Sequence, residues 1–350
     1  MAILRFNNVG MTAIAACVPP RVVSNYEMES FLSKEAVEKL VNAVGIKEKR
    51  FADSDVCSSD LCYKAAKKLM DDNNIAPESI DMLLFLSLTP DYIVPPTSSI
   101  LQRRLGLPKT TGALDLSLAC SGFVYALSTA FAYASIPGIN RVLLLVGETM
   151  SKLTNPRDKV NAPLYGDAGT AALIEKGDFE EAVFNLVADG EGEDYVKIPV
   201  GGFRHPVTAD SLLEKEREEG NIRRDVDITM DGIGVFNHAV SMIPKGIRET
   251  MATAQIGADD IDYMVFHQAN KFMLDFIIKR LKFNPDKVPF CISKYGNTSC
   301  ASVPLAIVSE LQGKLEGRKK ILLSAIGAGW SLGTAYMVTK DCKVSEIIEY

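Results

Sequence analysis

Short apolar runs alternate along this chain with longer segments in which apolar residues recur every three or four positions. The runs 82–88 and 141–146 predict buried strands, and the segments 59–72 and 123–134 predict helices. Because strands that are apolar along their whole length are buried on both faces, helices are expected to cover both sides of each sheet. The pattern therefore predicts an α/β fold.

The chain also contains an internal repeat. Segment 70–85 aligns without gaps with segment 251–266, and in each of them a helix end, an acidic turn and a buried strand follow one another. Segment 141–147 resembles segment 320–327 in the same order, with one inserted residue. Two matches in the same order favour a duplicated structural unit over a chance similarity between amphipathic elements.

The repeat predicts two similar halves, residues 1–180 and residues 181–350. Within the second half, residues 204–227 carry a dense run of charged side chains and break the alternation of strands and helices. We interpret this segment as a solvated surface insertion or a short helix.

Cys120 lies where an apolar run ends and a predicted helix begins, and Ser121 and Gly122 follow it directly. A thiol at the N-terminus of a helix is close to the positive end of the helix dipole, which favours the nucleophilic thiolate. Single cysteines are more often buried small apolar residues. The polar segments around His267 and Asn297 favour a catalytic role for Cys120 instead.

His267 follows the predicted strand 263–266, and Asn297 lies in a Gly-Asn turn before the predicted helix 301–311. Ligands of open α/β sheets bind beyond the carboxyl ends of the strands. Since a two-fold relation between the halves would bring those ends together, we expect Cys120, His267 and Asn297 to share one pocket.

A glycine-rich turn at 325–330 allows the backbone to approach a ligand closely. The backbone N–H groups of Ala328 and Gly329, together with that of Cys120, are predicted to form an oxyanion hole. The turn does not match the dinucleotide-binding pattern GxGxxG, because Leu332 occupies the last glycine position.

Composition narrows the function further. The 350 residues are 47% hydrophobic and 23% charged, with a net charge of -6 and no basic block, which disfavours nucleic-acid binding. Seven irregularly spaced cysteines predict free thiols, and three scattered histidines without a CxxC or HExxH pattern predict no metal site. Since neither a secretion signal nor a long apolar stretch is present, we expect a cytoplasmic protein.

Seven segments spread along the chain resemble the β-ketoacyl-acyl carrier protein synthase III family of thiolase-like condensing enzymes. They are 45–50, 89–91 with Pro95, 118–123, 165–169, 267–270, 296–299 and 327–330. The resemblance implies a homodimer with a five-layered αβαβα fold of two similar, thiolase-like halves, the first carrying the nucleophilic Cys and the second carrying the His and the Asn.

The resemblance also implies a reaction. Cys120 would accept an acyl group from a CoA or carrier-protein thioester, and His267 with Asn297 would bind the carbonyl of a malonyl thioester. Decarboxylation would then produce an enolate that attacks the acyl group on Cys120, giving a β-ketoacyl thioester and CO2. The implied partners are acyl carrier protein, acyl-CoA and malonyl thioesters, and the reaction requires no dissociable cofactor.

Several residues depart from the family pattern. The run 39–46 lacks the Trp and Arg that clamp the CoA adenine in many relatives, and Lys159 and Phe272 stand where the family has an Arg and a basic residue. Val94 stands where a bulky aromatic closes the acyl pocket of the partner subunit. Together with Asn270, these three are the candidate substrate-binding residues, and the departures favour a donor other than acetyl-CoA.

Three alternatives are considered beside this function. The acyl group on Cys120 could pass to a hydroxyl or amine without decarboxylation, with His267 as general base. A papain-like hydrolase shares the order Cys, His, Asn, but its signature around the Cys is absent here. A catalytically silent partner would usually have lost one of the three residues.

The insertion at 204–227 could cover the substrate entrance or contact a carrier protein.

Overall fold

The computed structural model describes residues 2–30 and 32–350 and contains two main β-sheets with helices between and around them. The strands are β1 Ala2–Phe6, β2 Val9–Val18, β3 Val22–Ser24, β4 Glu48–Arg50, β5 Met82–Leu86, β6 Gly112–Leu116, β7 Arg141–Thr149, β8 Asp167–Lys176, β9 Ala182–Ala188, β10 Val196–Lys197, β11 Lys215–Glu216, β12 Ile222–Arg223, β13 Thr229–Met230, β14 Tyr263–Phe266, β15 Arg318–Gly327, β16 Ser331–Lys340, β17 Lys343–Val344 and β18 Ile348–Glu349. The helices are α1 Lys34–Val44, α2 Ser58–Asp72, α3 Thr97–Arg104, α4 Gly122–Ser135, α5 Gly232–Ala254, α6 Lys271–Leu281, α7 Ile292–Tyr295 and α8 Ser302–Glu310.

The two main sheets have the same internal order. In the seven-stranded sheet the order is β17-β2-β8-β7-β5-β6, with β18 also paired to β2, and in the five-stranded sheet it is β1-β9-β16-β15-β14. The path β2-β8-β7-β5 corresponds to β9-β16-β15-β14, since in each path the last two strands are parallel and the other neighbours are antiparallel. The predicted duplication is therefore a duplication of the fold.

The two halves exchange strands at their edges. β1, from the first half of the chain, pairs with β9, and β17 and β18, from the end of the chain, pair with β2. Residues 177–181 connect β8 to β9 and so pass from one sheet to the other. The division into residues 1–180 and 181–350 stays a prediction.

Five layers follow from the packing of the helices. α4 and α8 lie between the two sheets, and α4 is apolar on nearly all sides, as a helix buried in a core must be. α2 and α3 cover the outer face of the seven-stranded sheet, and α5 and α6 cover that of the five-stranded sheet. This arrangement confirms the predicted αβαβα fold with two pseudo-symmetric halves.

The charged segment 204–227 contains a small hairpin, β11 and β12, and several of its charged side chains form ion pairs. Within the hairpin, Lys215 pairs with Asp210 and Asp225 at 2.8 and 2.7 Å. Arg157 pairs with Glu214 across the boundary of the segment, which attaches the hairpin to the loop before β8.

Of the helices in the described ranges, none is long and apolar enough to cross a membrane.

Candidate active site

A cavity of about 440 Å³ lies between the two halves, and Cys120, His267 and Asn297 all line it. The rest of its wall is mainly apolar and comes from both halves. Its apolar members include Leu88, Leu118, Met150, Leu164, Val196, Ile198, Ile228, Met230, Val235, Met273 and Ile326. The three side chains that the sequence analysis proposed as catalytic therefore share one pocket, formed where the strands of the two sheets end.

Cys120 lies in the turn that leads into α4, two residues before the helix begins. Its Sγ is 3.7 Å from the Oγ of Ser299, to which the thiol donates a hydrogen bond. Although the cavity leaves part of the side chain accessible, burial raises the pKa of the Cys120 thiol to about 11, against the opposing effects of the Ser299 hydroxyl and its own backbone N–H. The expected stabilised thiolate is therefore wrong, because removal from water outweighs the donors near the helix start.

His267 follows β14 directly and is buried. Its Nδ1 lies 2.6 Å from the Oγ of Ser302, and that oxygen also accepts a hydrogen bond from the backbone N–H of Gln268 at 3.3 Å. A hydroxyl can donate and accept at once, so Ser302 can accept from Gln268 and donate to Nδ1, an arrangement in which the ring proton lies on Nε2. Burial lowers the pKa of His267 to about 4, although a hydrogen bond with the Ser299 backbone opposes this shift. The imidazole is therefore neutral at pH 7.

The backbone of Asn297 forms an isolated parallel β-bridge with Tyr165. Its N–H donates to the carbonyl of Leu164 at 2.8 Å, and its carbonyl accepts from the N–H of Gly166 at 3.1 Å. A Cβ at Gly166 would collide with the carbonyl oxygen of Tyr295, so the bridge requires glycine there. The side-chain Oδ1 accepts from the N–H of Ser299 at 2.8 Å, which makes the Nδ2 hydrogens the donors that the amide offers to the cavity.

The glycine-rich turn lies against the start of α4. A Cβ at Gly327 would stand 2.9 Å from the backbone nitrogen of Cys120, so that only glycine permits this close approach. The hydroxyls of Ser121 and Ser331 are hydrogen-bonded at 2.6 Å and join the same two segments. Ala328 and Gly329 line the cavity beside Cys120, and their part in an oxyanion hole stays a prediction.

The other predicted substrate-binding residues differ in position. Asn270 lines the cavity and caps α6, since its Oδ1 accepts from the N–H of Met273 at 2.8 Å. Val94, Lys159 and Phe272 are not among the residues that line the cavity of their own chain. Val94 is 79% exposed, and Phe272 is 61% exposed. The Nζ of Lys159 lies beside Gly220 in the charged segment.

Sequence reasoning missed four polar residues around the three candidates. They are Glu148, Tyr165, Ser299 and Ser302. Tyr165 and Ser299 line the cavity, whereas Ser302 and Glu148 lie behind it and contact its wall. Glu148 had a signal in the sequence, because it is a lone acid two residues after the apolar run 141–146. The serines had none, since serine at a helix start usually acts as a cap.

The described residues contain no cluster of metal ligands. Across residues 2–30 and 32–350, no group of three or more His, Cys, Asp or Glu side chains is placed to hold a metal ion. The expectation that the reaction needs no dissociable cofactor stays a prediction.

Two family models match the chain. Residues 114–192, which include Cys120, match the model described as 3-oxoacyl-[acyl-carrier-protein (ACP)] synthase III. Residues 251–338, which include His267 and Asn297, match the model described as the C-terminal part of the same synthase.

Relatives and solved structures match over nearly the whole chain. A β-ketoacyl-[acyl-carrier-protein] synthase III of Rhodopirellula baltica is 33% identical over 93% of this chain and 97% of its own. The crystal structure of a 3-oxoacyl-(acyl-carrier protein) synthase from Burkholderia xenovorans LB400 superposes with a TM-score of 0.93 at 36% identity, covering 100% of this chain and 99% of its own. A β-ketoacyl-[acyl-carrier-protein] synthase III from Thermus thermophilus superposes with a TM-score of 0.80 at 32% identity, covering 94% of this chain and 98% of its own.

Proposed function

The chain belongs to the 3-oxoacyl-[acyl-carrier-protein] synthase III family, and from this premise we propose that it is an acyltransferase that performs a decarboxylative condensation on Cys120. The observation that carries the proposal is the meeting of Cys120, His267 and Asn297 in one largely apolar cavity. A thiol can hold an acyl group there, and two neutral donors face the same space.

The first half-reaction loads the enzyme. The Cys120 sulfur attacks the carbonyl of an acyl thioester, a new C–S bond forms at Cys120, and the donor's C–S bond breaks. Because the resting form of Cys120 is the thiol, its proton leaves with the departing thiol. The backbone N–H groups of Cys120, Ala328 and Gly329 would stabilise the tetrahedral oxyanion, an effect of about 3 to 4 kcal/mol per donor in comparable sites.

The second half-reaction joins two carbons to the acyl group. The Nε2–H of His267 and the Nδ2–H of Asn297 donate to the thioester carbonyl of the malonyl substrate. Loss of CO2 places an electron pair on the adjacent carbon, and the two donors stabilise the resulting enolate. That carbon attacks the acyl-Cys120 carbonyl, the C–S bond to Cys120 breaks, and the sulfur takes a proton from water. The thioesters supply the activation, so no cofactor enters the proposal.

The alternative acyl transfer to a hydroxyl or amine is disfavoured by the low pKa of His267. It needs a general base whose pKa lies near the working pH. Burial holds the pKa of His267 at about 4, so the imidazole binds a proton weakly at pH 7. A neutral imidazole that donates a hydrogen bond through Nε2 can stabilise an enolate, but it is a poor general base.

The proposed partners are acyl carrier protein, acyl-CoA and malonyl thioesters, in a homodimer that needs neither nucleic acid nor membrane. Lys159 in place of an Arg, and Phe272 in place of a basic residue, weaken the case for acetyl-CoA as donor. The apolar wall of the cavity, including Leu88 and Met150, suits a larger acyl group instead. Val94 stands where a bulky aromatic can close the acyl pocket of the partner subunit, and we propose that the smaller valine leaves room there for a larger acyl group.

Intact-mass measurement tests this function. The protein is incubated with a panel of acyl-CoA and acyl-carrier thioesters, and malonyl-carrier protein is then added to the acylated enzyme. We expect one donor class to label wild type but not Cys120→Ala, and the label to leave with release of CO2. Labelling that survives Cys120→Ala, or an acyl group that leaves without CO2 when a hydroxyl or amine is offered, would contradict the proposal.

A further inference from the structure

Glu148, the penultimate residue of β7, is fully buried and has no role in the reaction described above. Its carboxylate accepts hydrogen bonds from the backbone N–H of Leu88 at 3.1 and 3.2 Å and from the Thr89 hydroxyl at 2.9 Å. The Ser87 hydroxyl donates to it at 3.3 Å, and the Cys300 thiol donates at 3.1 Å. Every partner is a donor, and within the described part of the chain no Lys, Arg or His is among the groups that act on the Glu148 carboxyl.

A carboxyl in this position is costly for folding. Removing a carboxylate from water without a neighbouring cation is unfavourable, and the donors compensate only in part. Burial accordingly raises the pKa of Glu148 to about 7 in spite of the four groups that donate to it. An apolar residue at the end of β7 would avoid this cost. A buried carboxyl at this position therefore suggests that its hydrogen bonds hold the donor segments in place.

The donors belong to two segments that reach the cavity. Residues 87–89 follow β5, and Leu88 lines the cavity wall. Cys300 lies in the short turn before α8, directly after Ser299, which also lines the wall. Glu148 therefore joins two parts of the cavity wall from behind.

The turn at Ser299 needs such an anchor. Ser299 has a φ of 52°, in the left-handed region that a residue other than glycine adopts only at a cost of about 1 to 3 kcal/mol. On one side its N–H is held by Asn297 Oδ1, and on the other side the next residue is held by Glu148. The same Ser299 carries the hydroxyl that contacts Cys120 Sγ.

We propose that Glu148 is a positioning residue of the condensation. Through Cys300 it holds the left-handed turn at Ser299, and this turn orients the Asn297 amide and the Cys120 thiol relative to each other. Through Leu88 it holds the facing wall of the cavity. Glu148 does not touch the substrate. The inference rests on the proposed function and adds a residue to it.

The test compares Cys300→Ala, Cys300→Ser, Glu148→Gln and the double variant Glu148→Gln/Cys300→Ala with wild type. Cys342→Ala is the matched control, because Cys342 is equally buried but packs in the core beyond β16. The readouts are the rate of Cys120 acylation, kcat and KM for malonyl-carrier protein, and the thermal unfolding temperature.

We expect Cys300→Ala to lower kcat about tenfold with an unchanged KM, because sub-ångström displacement of reacting groups costs rate rather than affinity. Cys300→Ser, which keeps a donor, should restore most of kcat. Since both residues act through one hydrogen bond, the loss in the double variant should be smaller than the product of the single losses.

A kcat for Cys300→Ala that equals that of Cys342→Ala overturns the inference, and so does a double variant whose loss is the product of the single losses. Cys300→Ala keeps the test decisive if Glu148→Gln fails to fold. A wild-type protein that no donor acylates overturns the proposed function and the inference together, whereas full activity in both Glu148→Gln and Cys300→Ala overturns the inference alone.

Discussion

At the residue scale, the chemistry of the cavity is set by burial rather than by charge. Burial raises the pKa of Cys120 to about 11 and lowers that of His267 to about 4, so that both groups are neutral at pH 7. Neither shift could be read from the neighbouring sequence, because each depends on side chains that are distant along the chain. Ser299, which opposes both shifts, is an example.

Ser302 provides a prediction at this scale. Its hydroxyl is the hydrogen-bond partner of His267 Nδ1, and its removal frees the imidazole to rotate and to change tautomer. We expect Ser302→Ala to lower the rate of malonyl decarboxylation by about 10- to 100-fold, as loss of a residue that orients a catalytic histidine commonly does. Release of CO2 from malonyl-carrier protein is the measurement.

Ser128→Ala is the control for this variant. Ser128 is also buried, and its hydroxyl bonds only to the carbonyl of Tyr125 in its own helix. It should leave the rate of decarboxylation unchanged. Equal rates for Ser302→Ala and wild type would contradict the assignment of the ring proton to Nε2.

At the scale of elements, α4 connects the reactive thiol to both halves of the fold. Cys120 precedes this helix, and the helix lies between the two sheets. The ring of Phe131 packs against Phe6 and Phe184 of the five-stranded sheet, with centroids 5.9 and 5.2 Å apart. The position of the thiol therefore depends on packing across the centre of the molecule.

Phe131→Ala tests this dependence. Truncation of a fully buried Phe leaves a cavity and is expected to lower the free energy of unfolding by about 3 to 5 kcal/mol. Denaturant unfolding of the purified protein measures the change. Phe203→Ala is the matched control, because Phe203 is 90% exposed, and its effect should stay within about 0.5 kcal/mol. Similar losses in the two variants would show that α4 is not a central element.

At the scale of the whole molecule, an apolar surface cluster is carried by two helices that also line the cavity, although the chain is acidic. An apolar cluster is formed on the helices α5 and α6, whose Val235 and Met273 line the cavity, by Ile233, Phe236, Phe272 and Phe276. The ring of Phe236 lies 5.6 Å from those of Phe272 and Phe276, and Ile233 is 76% exposed. Exposed apolar clusters of this kind mark contact surfaces.

The apolar cluster predicts how a carrier protein is bound. Truncation of an apolar anchor at an interface commonly costs 1 to 2 kcal/mol, so Phe272→Ala and Ile233→Ala should raise KM for malonyl-carrier protein about tenfold at unchanged kcat. Ile136→Ala, an exposed isoleucine at the far end of α4, is the control and should have no effect. The measurement is steady-state kinetics at varied concentrations of malonyl-carrier protein. A KM equal to that of wild type in all three variants would refute the prediction.

Much of this architecture follows from the sequence by itself. The strands and helices around segments 82–88, 123–134 and 141–146 were predicted to within a few residues, because their apolar periodicity depends only on which face is buried. The duplication was visible for the same reason: equivalent elements bury equivalent faces. Cys120, His267 and Asn297 could be named together because each follows a strand end or lies in a turn before a helix.

Only the tertiary structure determined the contacts and protonation states of those residues. It brought Ser299 against Cys120, Ser302 against His267 and Glu148 against Cys300, in contacts that no local pattern encodes. It also overturned the expected thiolate at Cys120, because a pKa depends on the desolvation and the donors that the folded chain assembles. The sequence thus determined the layers and the reactive side chains, whereas the positions and protonation states of those side chains depend on packing between the two halves.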